Sequence, residues 1–427
     1  MSTPLRIGIA GLGTVGLGVI DILRTHATTI AMRAGRPVEI TAISARSRRD
    51  RGIDLSAYAF EADPADLATR DDVDLVVEVI GGENGPAKET VEAALASGKH
   101  VVTANKALMA RHGTALAALA ERHGACLRYE AGVAGGIPVV KALTEGLAAN
   151  AVTRVMGVMN GTCNYILTKM EATGEDYSDV LTEAQALGYA EADPAFDVGG
   201  MDAAQKLALL TIAAFGTHVD IDAVKVEGIE QVTLTDIRYA RDLGYRIKLL
   251  GVARSGDGAV EVRMQPCLVP AQSPIGQLES VVNMVVIEGD FVGQTVFQGP
   301  GAGAGPTGSA VVADIIDIAR DIRVPTFGVP VADLREYPTT TAGSPATYYL
   351  RLTLEDRPGM LAKVAAALGQ HGISINQMRQ TEHEGGSAPV LIVTHACLRQ
   401  DLDKALDEIT GQSMCQDTPV AYRIETV

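Results

Sequence analysis

The chain has 427 residues, more than one compact core usually organises, so two or three domains are expected. It is 47% hydrophobic but only 4% aromatic with no Trp, so its cores must be packed with Ala, Val, Leu and Ile, which suits parallel sheets covered by helices. A net charge of -16, with no dense Lys/Arg run outside Arg46 to Arg51, argues against a nucleic-acid partner, and no apolar run approaches the ~20 residues that span a bilayer.

From Leu5 to about Glu130, short Val/Ile-rich runs alternate with Ala/Leu-rich segments, the pattern of β-α-β units. Strands are predicted at Leu5 to Ala10, Val38 to Ser44, Leu75 to Val79, His100 to Thr103 and Leu127 to Glu130. The first feeds Gly11-Leu12-Gly13-Thr14-Val15-Gly16, which opens a helix over Gly16 to Leu23. A G-x-G-x-x-G in that setting is a dinucleotide-binding turn. Gly11 permits the bend, Gly13 lets a pyrophosphate approach the backbone, and Gly16 allows helix and strand to pack closely. The second strand ends in Ser44-Ala45-Arg46-Ser47-Arg48-Arg49 where an NAD site commonly carries an acid. Arginines suit a 2′-phosphate, so NADP is the expected cofactor, with NAD possible and Arg46 the expected contact. Lys106, just past the fourth strand, sits where doubly wound sheets bind ligands.

Beyond Gly132-Val133-Ala134-Gly135-Gly136 the rhythm changes to a mixed α/β domain, with helices at Pro138 to Ala148 and Met201 to Phe215 and strands at Val260 to Gln265 and Val281 to Glu288. Within it, Ala184 to Lys206 holds four acids and one lysine. Asp193-Pro194 and Gly199-Gly200 mark turns, and Asp202 and Lys206 fall one turn apart on a helix apolar almost all round. Its charged end must face a polar site or a strong ion pair. The glycine-rich Gly299 to Pro306 is a loop leading to a helix from about Thr307 to Ile322. The tail parses as β-α-β-β-α-β, a ferredoxin-like order. The expected division is a dinucleotide-binding domain over 1–135, rejoined by the helix in about 305–335, a catalytic and dimerisation domain over 136–304, a linker over 336–346, and a regulatory domain over 347–427. Five cysteines, odd in number and without C-x-x-C spacing, signal no disulfide framework, and no leader peptide is evident, so a cytoplasmic protein is expected.

The run from Ala184 to Lys206, with Gly188, Asp193-Pro194, Asp197, Gly200, Asp202 and Lys206, resembles the signature of homoserine dehydrogenases. Thr103-Ala104-Asn105-Lys106, Asn160-Gly161-Thr162-Cys163-Asn164-Tyr165 and Gly301 to Gly305 are similar to the same family, in its monofunctional form with a C-terminal ACT domain. The resemblance implies reversible NAD(P)H-dependent reduction of L-aspartate 4-semialdehyde to L-homoserine, a step toward threonine, methionine and isoleucine. Lys206 would be the acid/base and Lys106 would hold the reacting oxygen beside the nicotinamide. Glu191 and Asp202 would bind the substrate amino end with Asp197 in support, and Thr162 and Tyr189 would be further contacts. Cofactor contacts would come from Gly11, Gly13, Thr14, Val15, Gly16, Arg46, Gly81, Lys106, Gly188 and Gly303. The family also implies a sodium ion, here at Glu130, Val133, Gly135 and Ile137, and a homodimer or homotetramer.

Asp356-Arg357-Pro358-Gly359-Met360-Leu361 resembles the D-R-P-G-x-L turn of ACT domains. Asp356, Gly359 and Asn376 are therefore candidate contacts for a threonine effector. Two rivals remain: another NAD(P)-dependent amino-acid dehydrogenase sharing the turn, and a catalytically silent dinucleotide- and amino-acid-sensing regulator. The Ala184 to Lys206 run argues against the first, and Lys106 with Lys206 against the second.

Overall fold

Residues 3–48, 51–256, 258–340, 343–380 and 387–426 are described by a computed structural model. Arg49 of the basic run, and Thr341 and Ala342 of the linker, lie outside them. Six parallel strands form the first sheet: Leu5–Ala10 (β1), Val38–Ser44 (β2), Ala59–Glu61 (β3), Leu75–Glu78 (β4), His100–Thr103 (β5) and Leu127–Arg128 (β6). Their order is β3-β2-β1-β4-β5-β6, a doubly wound arrangement that reverses direction of growth between β1 and β4. Leu5, Ile7 and Ile9 are fully buried on one face of β1, as expected for a strand covered on both sides. The three-residue β3 carries no apolar run long enough to announce it. The last strand stops two residues early, because Glu130 starts a one-turn helix, Glu130–Gly132.

The helix Ala304–Ala319 lies against the helix Thr14–Thr25. Their contact is so close that a Cβ on Gly18 would stand 2.3 Å from the Ala304 carbonyl oxygen. Val19, Ile20, Val311 and Ile315 share the resulting core.

The second sheet is built from Val152–Val158 (β7), Lys225–Val226 (β8), Tyr245–Gly256 (β9), Ala259–Pro270 (β10), Val282–Gly289 (β11) and Gly293–Pro300 (β12). It continues through Thr339–Thr340 (β13), Thr347–Glu355 (β14), Ile375–Gln380 (β15), Ser387–Thr394 (β16) and Val420–Ile424 (β17). Two expectations change here. The predicted helix Pro138 to Ala148 is Val139–Lys141 followed by a π turn, Ala142–Gly146. The linker also contributes a strand, since Thr339 and Thr340 pair with Val260 and Glu261 of β10. Backbone hydrogen bonding, which composition does not report, decides that segment.

The tail follows the predicted ferredoxin-like order, with strands in the sequence β17-β14-β16-β15 and helices Met360–Gln370 and Arg399–Gly411 on one face. Parallel pairing of β17 with β10, Cys267 to Arg423 and Leu268 to Ile424, joins this unit to the sheet of the middle domain. Its other face meets the helix Leu234–Asp242, where Asp236 is fully buried. Asp236 Oδ1 accepts from Tyr349 Oη at 3.0 Å and Arg351 Nε at 2.7 Å, while Oδ2 accepts from the Thr233 amide and hydroxyl. Among the described residues no helix is long and apolar enough to cross a membrane.

Candidate active site

Left-handed backbone at Gly200 (φ +87°) launches the helix Met201–Phe215, and its first two turns carry Asp202 and Lys206 on one side. Lys206 Nζ donates to Asp202 Oδ2 at 2.8 Å and to the Met159 carbonyl at 2.7 Å. Both side chains are about one-tenth exposed, so this is not a solvated surface pair. Lys106 begins the helix Lys106–Arg122, whose first turn is capped by Asn105 through its bond from the Leu108 amide. The cap aims Lys106 toward the middle domain, where Nζ lies 3.2 Å from Asp202 Oδ1. One carboxylate thus bridges two ammonium groups from different domains.

Asn160, buried at the cap of helix Gly161–Thr173, completes the cluster. Its Nδ2 donates to Asp197 Oδ1 at 2.8 Å and to Asp202 Oδ2 at 2.9 Å. Burial alone would push the Asp202 carboxyl up, but the charges of Lys206 and Lys106 outweigh it and hold the group well below the usual carboxylate range. Asp197 is displaced the other way, by burial first and by the neighbouring Asp202 charge second. Residues of one cluster are therefore poised differently by their neighbours.

These groups line a cleft of about 670 Å³ between the two sheets. Val15, Lys106, Gly135, Thr162, Gly188 and Tyr189 also border it, as do Glu191, Asp197, Asp202, Lys206 and Gly303. Thr162 donates from Oγ1 to the Tyr189 carbonyl at 2.6 Å, which ties the loop carrying Gly188 and Glu191 to the cleft floor. Glu191 is exposed at the mouth. Both oxygens of Asp202 serve Lys106, Lys206 and Asn160, so any contact it makes to substrate is shared with this bridge.

The glycine turn adjoins the cleft through Val15 and fits a dinucleotide. Gly11 has φ +108°, and a Cβ on Gly16 would stand 2.0 Å from the Gly11 carbonyl oxygen, so both are required by the turn itself. At Gly13 a Cβ would meet nothing within 4 Å, and that open space is where a phosphate would approach the backbone. Thr14 starts the helix beside it, exposed. Gly81 (φ +88°) stands beyond β4, its amide donating to the buried carboxylate of Glu78 at 3.2 Å. Arg46 is exposed and does not line the cleft. Its neighbour Arg48 lies over the Phe60 ring, and Arg51 Nε donates to the Leu12 carbonyl inside the glycine turn at 3.1 Å.

Profiles for homoserine dehydrogenase match residues 138–316, for its NAD-binding domain residues 11–130, and for the ACT domain residues 348–411. The chain is 44% identical to the homoserine dehydrogenase of Pseudomonas aeruginosa over 99% of both chains. The chain belongs to the homoserine dehydrogenase family. A crystal structure of a homoserine dehydrogenase from Thiobacillus denitrificans superposes with a TM-score of 0.94 at 40% identity, covering 99% of each chain. One from S. aureus at pH 8.5 gives 0.79 at 32% identity over the full length of both. The chain is thus an NAD(P)-dependent oxidoreductase that interconverts L-aspartate 4-semialdehyde and L-homoserine.

Of the remaining predicted residues, the bend carrying Glu130, Val133, Gly135 and Ile137 borders the cleft through Gly135, whereas Asp356, Gly359 and Asn376 do not line it. Glu130 is buried, and its carboxylate accepts from the amides of Val140 at 3.0 Å and Lys141 at 2.8 Å. Burial and the Asp314 charge push it up to about 8. Val133, Gly135 and Ile137 follow in a buried bend where Ala134 and Gly135 both take positive φ. Carbonyls of Val133 and Gly135 accept no backbone hydrogen bond from the described residues, whereas that of Ile137 accepts from Val139. Among the described residues no group of three His, Cys, Asp or Glu could hold a metal ion. Asp356 and Gly359 are exposed at the turn before helix Met360–Gln370, and Asn376 is exposed at a bulge in β15.

Sequence reasoning gave no role to Asn160, Asn105 or the Met159 carbonyl. The first two carried a usable signal, since asparagine directly before a helix is a capping residue. Nothing in the sequence marks a carbonyl.

Proposed function

We propose that Lys206 and Lys106 divide the work of moving the proton and holding the oxygen. The bound nicotinamide supplies or accepts the hydride. In the reducing direction Lys206 donates a proton from Nζ to the developing alkoxide, and Lys106 polarises the same oxygen. Two of the Lys206 donors are already fixed by Met159 and Asp202, which leaves the third for substrate. Asp202 stays ionised between both ammonium groups and sets their spacing. Glu191, with the unshared oxygen of Asp197, takes the substrate ammonium, and Thr162 and Tyr189 shape that end of the cleft. The observation that carries this reading is the Lys106–Asp202–Lys206 bridge across the cleft. Lys206→Ala is expected to lose at least ~100-fold in kcat while still binding both ligands; near-normal turnover would overturn it.

Gly11, Gly13, Thr14, Val15 and Gly16 hold the pyrophosphate in this reading, with Gly81, Gly188 and Gly303 along the rest of the cofactor. Arg46 would favour NADP, supported by the absence of an acid at the end of β2. Absorbance assays with L-homoserine and each cofactor, repeated in Arg46→Ala, test this; an unchanged NADP affinity would reject Arg46.

For sodium the residues fit in part. Val133 and Gly135 offer carbonyls without a backbone hydrogen bond, and a monovalent cation beside them would offset the burial and Asp314 charge that push Glu130 up, drawing its carboxyl into the charged form and bracing the bend between the two domains. We further read the C-terminal unit as a threonine-responsive domain, for which Asp356, Gly359 and Asn376 are the candidate contacts by resemblance, and the enzyme as a cytoplasmic homodimer or homotetramer. Kinetics with and without threonine, and light scattering, test these two points.

A further inference from the structure

The outer face of the C-terminal sheet does not close completely on the helix Leu234–Asp242. Strand alternation turns Tyr349, Gln377, Arg379, Leu391 and Val393 to this side. With Tyr239, Asp242 and Leu243 they bound a pocket of about 280 Å³. That is slightly below the ~300 Å³ at which sites for drug-sized ligands begin, so the space suits a small metabolite.

The chemistry of the wall is specific. Arg379 Nη1 lies 3.1 Å from Asp242 Oδ2, and the same guanidinium stands 5.2 Å from the centre of the Tyr239 ring. A cation and an anion, each about half-exposed and one contact apart beside an apolar surface, complement a molecule that carries a carboxylate and an ammonium on one carbon. Such a zwitterion replaces each partner of the ion pair with its own opposite charge, so the pocket stays balanced. Leu243, Leu391 and Val393 then face its side chain.

We propose that this pocket seats a free aliphatic α-amino acid, its carboxylate on Arg379 and its ammonium on Asp242. The proposal rests on the reading of the C-terminal unit as an amino-acid sensor, but moves the ligand from the Asp356–Gly359 turn to the seam with the catalytic domain. A connection to the active site follows from the topology. The helix that supplies Tyr239 and Asp242 leads through Gly244 into β9, β9 pairs with β7, and β7 ends one residue before Met159, whose carbonyl holds Lys206.

The test is calorimetric titration of the full-length enzyme with L-valine, L-isoleucine, L-methionine and L-threonine, each to millimolar concentration. It is repeated in Arg379→Met and Asp242→Asn, both half-exposed positions, and in Asp356→Ala and Asn376→Ala. At least one aliphatic amino acid is expected to bind, weakened ~10-fold or more in each pocket variant and under about threefold in the turn variants. No heat with any of the four overturns the sensor reading and the pocket together. Heat that persists in the pocket variants, or that falls as much in the turn variants, overturns the pocket alone.

Discussion

Lys106 and Asp202 lie 96 residues apart in sequence, in different domains, and meet at 3.2 Å across the cleft. Asp202 is held ionised there by Lys206 and Lys106 against the cost of its burial. Replacing it with Asn keeps the shape and removes the charge that spaces the two ammonium groups. Asp202→Asn is therefore expected to lower kcat by about 100-fold, the scale of a small misplacement of reacting groups, with the cofactor affinity nearly unchanged. Steady-state kinetics decide it; a loss confined to KM would make Asp202 a substrate contact only.

The glycine turn separates fold from function. A Cβ at Gly13 meets no atom of the chain within 4 Å, whereas one at Gly16 meets the Gly11 carbonyl oxygen at 2.0 Å. Gly13→Ala should keep the wild-type melting temperature and raise the cofactor KM by about 10-fold or more, since only a bound phosphate feels the methyl. Gly16→Ala should lower the melting temperature as well. Equal melting losses in the two variants would remove the phosphate from this argument.

Most of this was legible in the sequence for reasons particular to each element. The strand Leu5–Ala10 and the helix Met201–Phe215 begin and end where apolar period and glycine punctuation put them, because both are covered on nearly every side. Lys106, Asp202 and Lys206 stood out as charges bordering apolar elements. What stayed hidden depends on long-range partners. Pairing with β10 makes a strand of Thr339–Thr340, and Glu130 turns to cap Val140 and Lys141 instead of ending a strand. Asp202's two-lysine bridge is also a tertiary fact, as half of it comes from another domain.

Sodium dependence can be read from stability alone. If Val133 and Gly135 give their carbonyls to a monovalent cation beside Glu130, replacing sodium with choline at constant ionic strength should lower the melting temperature by about 1 °C, which corresponds to about 1 kcal/mol for a chain of this size. Glu130→Gln should abolish that difference. A wild-type melting temperature indifferent to the cation would remove the ion from this bend.

Lys248 offers a pH signature. It is buried in the middle sheet, donating to Asn164 Oδ1 at 2.9 Å and to the Leu278 carbonyl. Burial first, and Arg246 second, lower it from its ordinary 10.5 to about 8. Between those values the unfolded chain holds a proton that the folded chain has released, so stability from this group rises with pH through that window and is lost as pH falls through about 8. The stability of the wild type relative to Lys248→Met should thus climb by roughly 1–3 kcal/mol from pH 8 to 10.5 and stay flat below. Denaturant melts at several pH values measure it, and a flat difference would contradict the burial of the ammonium.

Asp236 makes the seam between the catalytic domain and the C-terminal unit mechanically testable. Fully buried, it receives Arg351 Nε at 2.7 Å, Tyr349 Oη at 3.0 Å and both Thr233 donors. Arg351→Met strips the positive partner and leaves a buried carboxylate short of charge, a change that costs about 3 kcal/mol or more. Tyr349→Phe removes one hydroxyl donor and should cost about 1 kcal/mol. Arg351→Met combined with Asp236→Leu removes both charges and should recover much of the loss, because an apolar pair has no desolvation cost to offset. Thermal melts of the two single variants and the double variant check the ordering. Equal, small losses in Arg351→Met and Tyr349→Phe would mean that water reaches Asp236 and that the seam opens in solution.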